Sequence, residues 1–478
     1  MVMRQAAEDR GRGRWALALT PIAFFMVALD TLVVITALPA IHHDLGASLS
    51  TLEWTVNAFT LSFAAGIITA AASGDRFGRR RVFVAGLTLF AAASAACALA
   101  PTVSILITMR AIQGIGAALV TPTGLTILVA AFPPERRGAI VGIWGGLAGL
   151  AVAGGPLVGG ALTQGLSWHW IFWVNVPIGV VAAVLSTLKL PESRGPATAL
   201  DLPAVGLVTG GAVGLVLGLV RGNELGWGSP EVVASLLVGT VLLIGFIVWE
   251  ARAAAPMMPL RLFRSPTFVA ANATGFLMTA ALIPAAFLMS QYFQFVLGYS
   301  PLGTGLRFLP WTATPLVVAP IAGIVSDRIG RRPVMVAGML LQGSGLGWCA
   351  LLATTTTAYI QFVPALLIAG VGVSMALATS PTAALSAVPA SDMGKASGVN
   401  STLQRFGAVF GLAVATAVFS ATGHLGSAAS FTNGFRPALA LAAGFSILGT
   451  ISALAAGGRQ GAPSGTVFEA RVGAAVRS

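Results

Sequence analysis

Apolar runs long enough to cross a bilayer recur along the whole 478-residue chain, and they decide its fold class. A bilayer core is spanned by about 20 apolar residues in a helix. Charge-poor runs of that kind lie near 15–38, 54–73, 82–100, 104–131, 139–163, 170–188, 202–220, 231–249, 267–296, 304–325, 333–353, 358–381, 394–420 and 437–456, fourteen in all. Lipid leaves no open sheet edge satisfied, and the alternating pattern of a barrel is absent, so the runs are expected to be helices. Only 9% of residues are charged, against about 25% in soluble domains, which excludes an ordinary cytosolic enzyme. The expected fold is an all-α polytopic membrane protein with 14 transmembrane helices.

The basic residues orient these runs. With the N-terminus in the cytoplasm, one side collects Arg4, Arg10, Arg12 and Arg14, then Arg76 with Arg79 to Arg81, and so on through the tail residues Arg459, Arg471 and Arg477. Only Arg221 and Arg436 fall in connectors of the other side. That asymmetry follows the inside rule and puts both termini in the cytoplasm. The net charge of +12 is therefore spread loop by loop along a membrane face, which argues against a nucleic-acid partner. The run behind the basic N-terminal tail is too long for a signal-peptide h-region and contains Asp30, so an uncleaved first helix is expected. The Arg-heavy, Lys-poor, Ala/Gly-rich usage points to a bacterial protein, hence the bacterial cytoplasmic (inner) membrane.

Energy and chemistry are bounded by what the sequence lacks. Cys97 and Cys349 fall in apolar runs and read as small hydrophobes. His42, His43, His169 and His424 fall in polar connectors, with no metal-ligand spacing. Lys189 and Lys395 belong to no phosphate-cradling loop. Neither a metal nor a cofactor is expected, and uphill work would come from an ion gradient or a partner.

The connector Gly74-Asp75-Arg76-Phe77-Gly78-Arg79-Arg80 returns as Ser326-Asp327-Arg328-Ile329-Gly330-Arg331-Arg332, at an offset of 252 that Cys97 and Cys349 also keep. Such a repeat suggests a duplicated bundle. The offset exceeds six spans, and two additional central helices fit the excess. These connectors resemble the hallmark loop of the major facilitator superfamily, G-x-L-A-D-R-x-G-R-K. The second copy matches from Gly323 to Arg332, whereas Ala71 and Ser73 depart from the pattern in the first. Arg110-Ala111-Ile112-Gln113-Gly114 resembles the superfamily's RxxQG motif. Gly155-Pro156-Leu157-Val158-Gly159-Gly160 resembles its antiporter motif, with Ala151 in place of the leading glycine. Leu29-Asp30-Thr31 with Ala37-Leu38-Pro39, and the stretch Trp168 to Gly179, are similar to the fourteen-helix drug:proton antiporter family. The resemblance implies an N-terminal six-helix bundle at 15–190, two linker helices within 191–266 and a C-terminal six-helix bundle at 267–457. Tails of 1–14 and 458–478 flank them.

Four charges lie inside spans: Asp30, Arg110, Arg307 and Arg405. Each costs at least about 2.5 kcal/mol at the centre of a span, so each needs a partner, a wet cavity or a task. Arg307 is one turn from a helix end and can snorkel. Asp30 is expected as the sole acid at depth, roughly 12 Å below the outer face, with Arg110 roughly 9 Å below it. The resemblance implies that helices 1 and 4 both line a central cavity, so the two can meet. Burial opposes a carboxylate's charge and a guanidinium favours it. Asp30 and Arg110 are therefore read as a proton-coupling pair, the alternative being a static ion pair. Arg405 falls near the midplane, where it either binds backbone carbonyls or gives a substrate cavity a bias toward neutral, zwitterionic or anionic amphiphiles.

Gating is expected from Asp75, Arg76, Gly78 and Arg79 and from Gly323, Asp327, Arg328, Gly330 and Arg331. The resemblance places Asp75 against the start of helix 13 and Asp327 against the start of helix 5, where helix N-termini favour a negative charge. Pro156 would bend helix 5, and Gly155, Gly159 and Gly160 would permit close helix contact that seals a cavity. Candidate substrate-lining residues are Asn57, Gln113, Phe287, Met289, Gln291, Tyr292, Gln294 and Arg405, since apolar walls with few polar groups suit promiscuous binding. The functional expectation is a monomeric, proton-coupled exporter of amphipathic compounds, surrounded by lipid. A dedicated exporter of one metabolite or lipid is the alternative. A membrane enzyme lacks paired carboxylates or a His/Cys cluster at depth, and a channel would need rings of like residues.

Overall fold

The computed structural model describes residues 2–195, 201–253, 256, 258–389 and 392–456; the tail expected at 458–478 lies outside them. Among the described residues the chain is helical with no strand. The helices are α1 (Val2–Leu45), α2 (Leu49–Phe77), α3 (Arg79–Ala98), α4 (Val103–Ala130), α5 (Pro134–Gly165), α6 (Trp170–Trp173), α7 (Asn175–Lys189), α8 (Leu202–Leu225) and α9 (Pro230–Arg252). They continue with α10 (Pro266–Gln291), α11 (Pro301–Thr312), α12 (Thr314–Ile329), α13 (Arg331–Leu352), α14 (Tyr359–Ser386), α15 (Met393–Thr422) and α16 (Ala428–Ala455). Among the described residues, twelve spans are long and apolar enough to cross a membrane, or thirteen when the bent α2 is taken as one span. The chain is a multi-span membrane protein. Helix α1 runs back to Val2 through the expected N-terminal tail, and His42 and His43 sit in its last turn rather than in a connector.

Local chemistry explains where helices begin and break. Ser48, Thr102, Asp201, Ser229, Ser265, Ser300 and Ser427 each accept the backbone N–H three residues on, which satisfies an orphan donor of the first turn. The run expected at 304–325 is broken between α11 and α12. Pro315 has no N–H to offer the Trp311 carbonyl, and the Thr314 hydroxyl donates to that carbonyl instead, at 2.7 Å. The run at 170–188 divides between α6 and α7 at Val174. Helix α10 ends in a π-helical turn, Tyr292–Val296.

Helices α1 to α7 pack on one another, with α2 and α3 against α4 and α1 against α5. Helices α10 to α16 form a second group, with α13 between α14 and α16 and α10 between α15 and α16. Helices α8 and α9 pair with each other, and α8 lies on α2 and α15. Helix α9 turns Leu237, Val238, Val241, Ile244 and Ile247 outward, a face suited to lipid.

One end of the molecule carries the Arg76–Arg81 and Arg328–Arg332 connectors and is called the basic face; the other is the far face. Near the far face the groups close on each other. Gln294 donates to the Thr36 carbonyl at 2.9 Å, and the Leu302 N–H donates to Gln164 Oε1 at 3.1 Å. A Cβ on Gly160 would collide with the Pro301 carbonyl, and one on Gly305 with the Pro156 carbonyl. There α5 and α11 meet backbone to backbone. Val33 to Leu38 of α1 and Phe287 to Phe293 of α10 are unbroken stretches of buried residues, so every side of those helix segments is covered.

Candidate functional site

Helix α4 presents Arg110 and Gln113 one turn apart, on one face, and both turn toward Asp30 of α1. Arg110 Nη1 donates to Asp30 Oδ2 at 2.5 Å. Gln113 Nε2 and Asn175 Nδ2 donate to Asp30 Oδ1 at 3.0 and 2.7 Å. Arg110 is held in turn: Nε donates to the Thr55 carbonyl at 3.0 Å, Nη1 donates to Gln113 Oε1 at 2.7 Å, and its plane lies 4.2 Å from the Phe59 ring centroid. Gln113 also donates to Ser94 Oγ at 2.8 Å. The side chains of Asp30 and Arg110 are each 1% exposed, so this is a desolvated ion pair held by further hydrogen bonds. Gly114 makes the approach possible, because a Cβ there would strike Ser62 Oγ and the Phe59 carbonyl on α2.

The expected pair therefore meets, and Gln113 belongs to it. Asn175, Ser94 and the Thr55 carbonyl are additions. Asn175 opens α7 directly after the break at Val174; its signal is a lone amide inside an apolar run that already bears the family resemblance.

Asp30 is not the only buried acid among the described residues. Glu53, one turn into α2, is 1% exposed, and Glu250 of α9 is 3% exposed. Glu53 accepts from Asn57 Nδ2 at 2.9 Å and from the Thr416 hydroxyl of α15, across the boundary between the groups. The apolar run starting at 54 leaves Glu53 one residue outside, yet its helix begins at Leu49 and carries it inside. Asn57 is thus a partner of Glu53.

The other expected lining residues lie in packing in this conformation. Phe287, Met289 and Tyr292 are fully buried and Gln291 is 3% exposed. Tyr292 donates to the Thr354 carbonyl at 2.5 Å and stacks on Phe435 at 4.5 Å. Gln291 donates to the Phe287 carbonyl at 3.5 Å, and Gln294 bonds across the boundary to Thr36. Arg405 is half-buried and lies 3.3 Å from the Phe63 ring centroid, a cation–π contact between α15 and α2. Arg307 lies over Tyr299 at 3.6 Å and donates to the Gly303 carbonyl at 3.0 Å.

A family model described as Major Facilitator Superfamily matches residues 22–315 and 267–471. The chain belongs to this superfamily. The Tetracenomycin C resistance and export protein of Streptomyces glaucescens is 35% identical over 407 residues, covering 85% of this chain and 76% of that protein. The Cephamycin export protein CmcT of Amycolatopsis lactamdurans is 37% identical over 434 residues, covering 88% of each. A solved POT family transporter in complex with a thioalcohol conjugated peptide shares the fold. Its TM-score is 0.68 at 17% identity, over 92% of this chain and 95% of that one.

The superfamily's connector motif takes a common backbone form in both copies. Gly78 and Gly330 have φ of +110° and +94°, a region that L side chains avoid. Each glycine ends one helix and opens the next. Asp75 pairs with Arg79 at 2.8 Å inside its own group. Glu192 Oε1 accepts from the Arg80 N–H at 3.0 Å at the start of α3. Arg76 lies 5.4 Å from the Phe77 ring centroid. In the second copy Arg331 donates to Ser386 Oγ at 2.7 Å, and Asp327 and Arg328 are exposed. Gly323 has open space around its Cβ position, so packing does not demand glycine there. In the antiporter motif, Gly155 and Gly159 face Leu32, Val33 and Thr36 of α1, while Gly160 faces Pro301 of α11.

Proposed function

We propose that this chain is a proton-driven exporter of hydrophobic or amphipathic compounds, antibiotics among them, working by alternating access. The observation that carries the reading is the desolvated Asp30–Arg110 pair on α1 and α4, in a chain whose relatives at about 35% identity are named for antibiotic resistance and export. Counting the broken pairs α6/α7 and α11/α12 as single spans, and α2 and α5 as one each, gives fourteen crossings. In this reading 15–190 and 267–457 are two six-helix bundles, with two linker spans between them. The inside rule makes the basic face cytoplasmic and puts both termini there, in a bacterial inner membrane. The conformation described is then closed to the outside.

The chemistry follows from the pair. An ionised Asp30 only accepts hydrogen bonds, and Arg110, Gln113 and Asn175 all donate to it. A proton on Asp30 removes the charge that Arg110 faces. Arg110 keeps the Thr55 carbonyl, Gln113 Oε1 and the Phe59 ring, so α4 stays anchored to α2 while its hold on α1 loosens. Proton loading thus changes how α1 sits against α4. Because α1 also meets α10 through Thr36 and Gln294, that change reaches the boundary that must open. The Asp75 and Asp327 connectors serve as the gating contacts of the basic face. Arg405 supplies the polar contact for cargo, which favours neutral, zwitterionic or anionic amphiphiles. One proton crossing 100 mV supplies about 2.3 kcal/mol, enough for a roughly 50-fold gradient of a neutral solute.

The decisive experiment is a substrate screen in inside-out vesicles with an imposed pH gradient. Accumulation that collapses with an uncoupler, and fails in Asp30→Asn, supports the reading. Accumulation that persists in either case removes it. Relatives named for single compounds favour a second reading, a dedicated exporter of one antibiotic or metabolite. Resistance profiles of an overexpressing and a deleted strain separate the two.

A further inference from the structure

We infer that Glu53 is a second proton-binding site, a latch on the outer closure between α2 and α15 that takes its proton from outside the cell. The inference rests on the orientation and alternating access proposed above, and it concerns a different residue and helix pair from Asp30.

The first observation is location. Glu53 and Thr416 lie on antiparallel helices from opposite groups, near the far face, and both are buried. Their hydrogen bond crosses the boundary. Opening the far face must separate these helices, break that bond and wet the carboxyl. Closing must take the carboxyl out of water again, which is costly for a charged group and much less so for a neutral one.

The second observation is the chemistry of the partners. Thr416 can donate to the carboxylate, or turn its hydroxyl hydrogen to the Leu412 carbonyl at 2.9 Å or the Ala413 carbonyl at 3.1 Å. Its oxygen is then left to accept a proton donated by Glu53. Asn57 donates through Nδ2, while its Oδ1 is buried without a hydrogen-bond partner. An amide turned over would present that oxygen to a protonated Glu53. Both neighbours therefore satisfy the ionised and the protonated acid alike. Arg110, which only donates, cannot do this for Asp30. The step balances simply: one proton from outside water adds to the Glu53 carboxylate on closure, and leaves to the same water on opening.

Among the described side chains, the other ionisable groups on the helices packed against α2 have partners of their own or lie away from Glu53. On α4, Arg110 faces Asp30. At the end of α1, Asp44 accepts from Trp168 Nε1 at 2.8 Å and His42 Nδ1 lies 2.6 Å from the Ala47 carbonyl, with His43 exposed beside it. On α8, Arg221 pairs with Glu231. On α15, Arg405 lies over Phe63 and Lys395 is at the basic end. Arg79 to Arg81 on α3 are at the basic face.

The test uses the full chain in proteoliposomes, in a Cys97→Ala, Cys349→Ala background with Ser290→Cys. Ser290 is fully buried and accepts from Gln294, the residue that bonds across to Thr36. A membrane-impermeant maleimide applied outside reports opening. Lowering external pH from about 8 to about 5.5 at fixed internal pH is expected to slow labelling about tenfold. Glu53→Gln should label slowly at every pH, and Thr416→Val should label fast even at low pH. Glu53→Asp, which keeps the acid, should retain a pH response and guards against a Gln variant that misfolds. Asp30→Asn should lose proton-driven export yet keep the external pH response. A pH response that survives in folded Glu53→Gln would overturn the latch and pass the effect to His42 or His43. Full export by Asp30→Asn with an intact Glu53 response would instead remove the coupling reading alone.

Discussion

Cys97 and Cys349 stand 252 residues apart at matching places in the two helix groups, and their surroundings have diverged. Around Cys97 the interior is polar, with Sγ 3.9 Å from Gln113 Oε1 and the Asp30–Arg110 pair beyond it. Carrying the same offset forward from Arg110 arrives at Phe362, and there the interior is aromatic. Tyr292 and Phe293 both meet Phe362, at 5.8 and 5.9 Å, and Tyr292 stacks on Phe435. One skeleton thus carries an ionisable centre in one group and a ring-filled core in the other. In the function proposed above, that difference places the proton-dependent step in the first group.

That contrast can be broken most severely at Asp30. Asp30→Asn should reduce pH-gradient-driven export to background in vesicles. It should also lower thermal stability, because an unpaired buried Arg110 costs about 3–5 kcal/mol. Adding Arg110→Gln should recover most of that stability but no coupling, which separates holding the fold from moving the proton. Phe435→Ala in the other group should cost a comparable 3–5 kcal/mol by denaturation while the proton dependence per folded molecule stays unchanged. Gly160→Val, which forces a side chain into the Pro301 backbone, should slow export about tenfold and leave the far face labelled more readily by an impermeant reagent. Tyr292→Phe, which removes the bond to the Thr354 carbonyl, should cost about 1 kcal/mol with export intact.

How far the sequence could be read depended on what kind of signal each residue carried. Asp30 and Arg110 were legible because depth along a helix follows from residue count, and a lone charge at depth demands a partner. Asn175 was not, since its approach to Asp30 depends on the break at Val174, which only Pro177, with no N–H for the Trp173 carbonyl, marks locally. Glu53 was hidden by the hydropathy rule that closed its span at 54, although Ser48 caps a helix that begins earlier. The stripe of Phe287, Met289, Gln291 and Tyr292 can line a cavity, but in one dimension such a stripe is more often core packing. Only the packing of α10 on every side places it in the interior of this conformation. The repeated connectors were legible as a repeat, but the positive φ at both glycines became visible only in the backbone.

Where α5 meets α11, at Gly160 and Gly305, main chain abuts main chain. A barrier built that way is indifferent to what passes beneath it. In the proposed orientation, residues nearer the cargo can change while this outer closure keeps its fit.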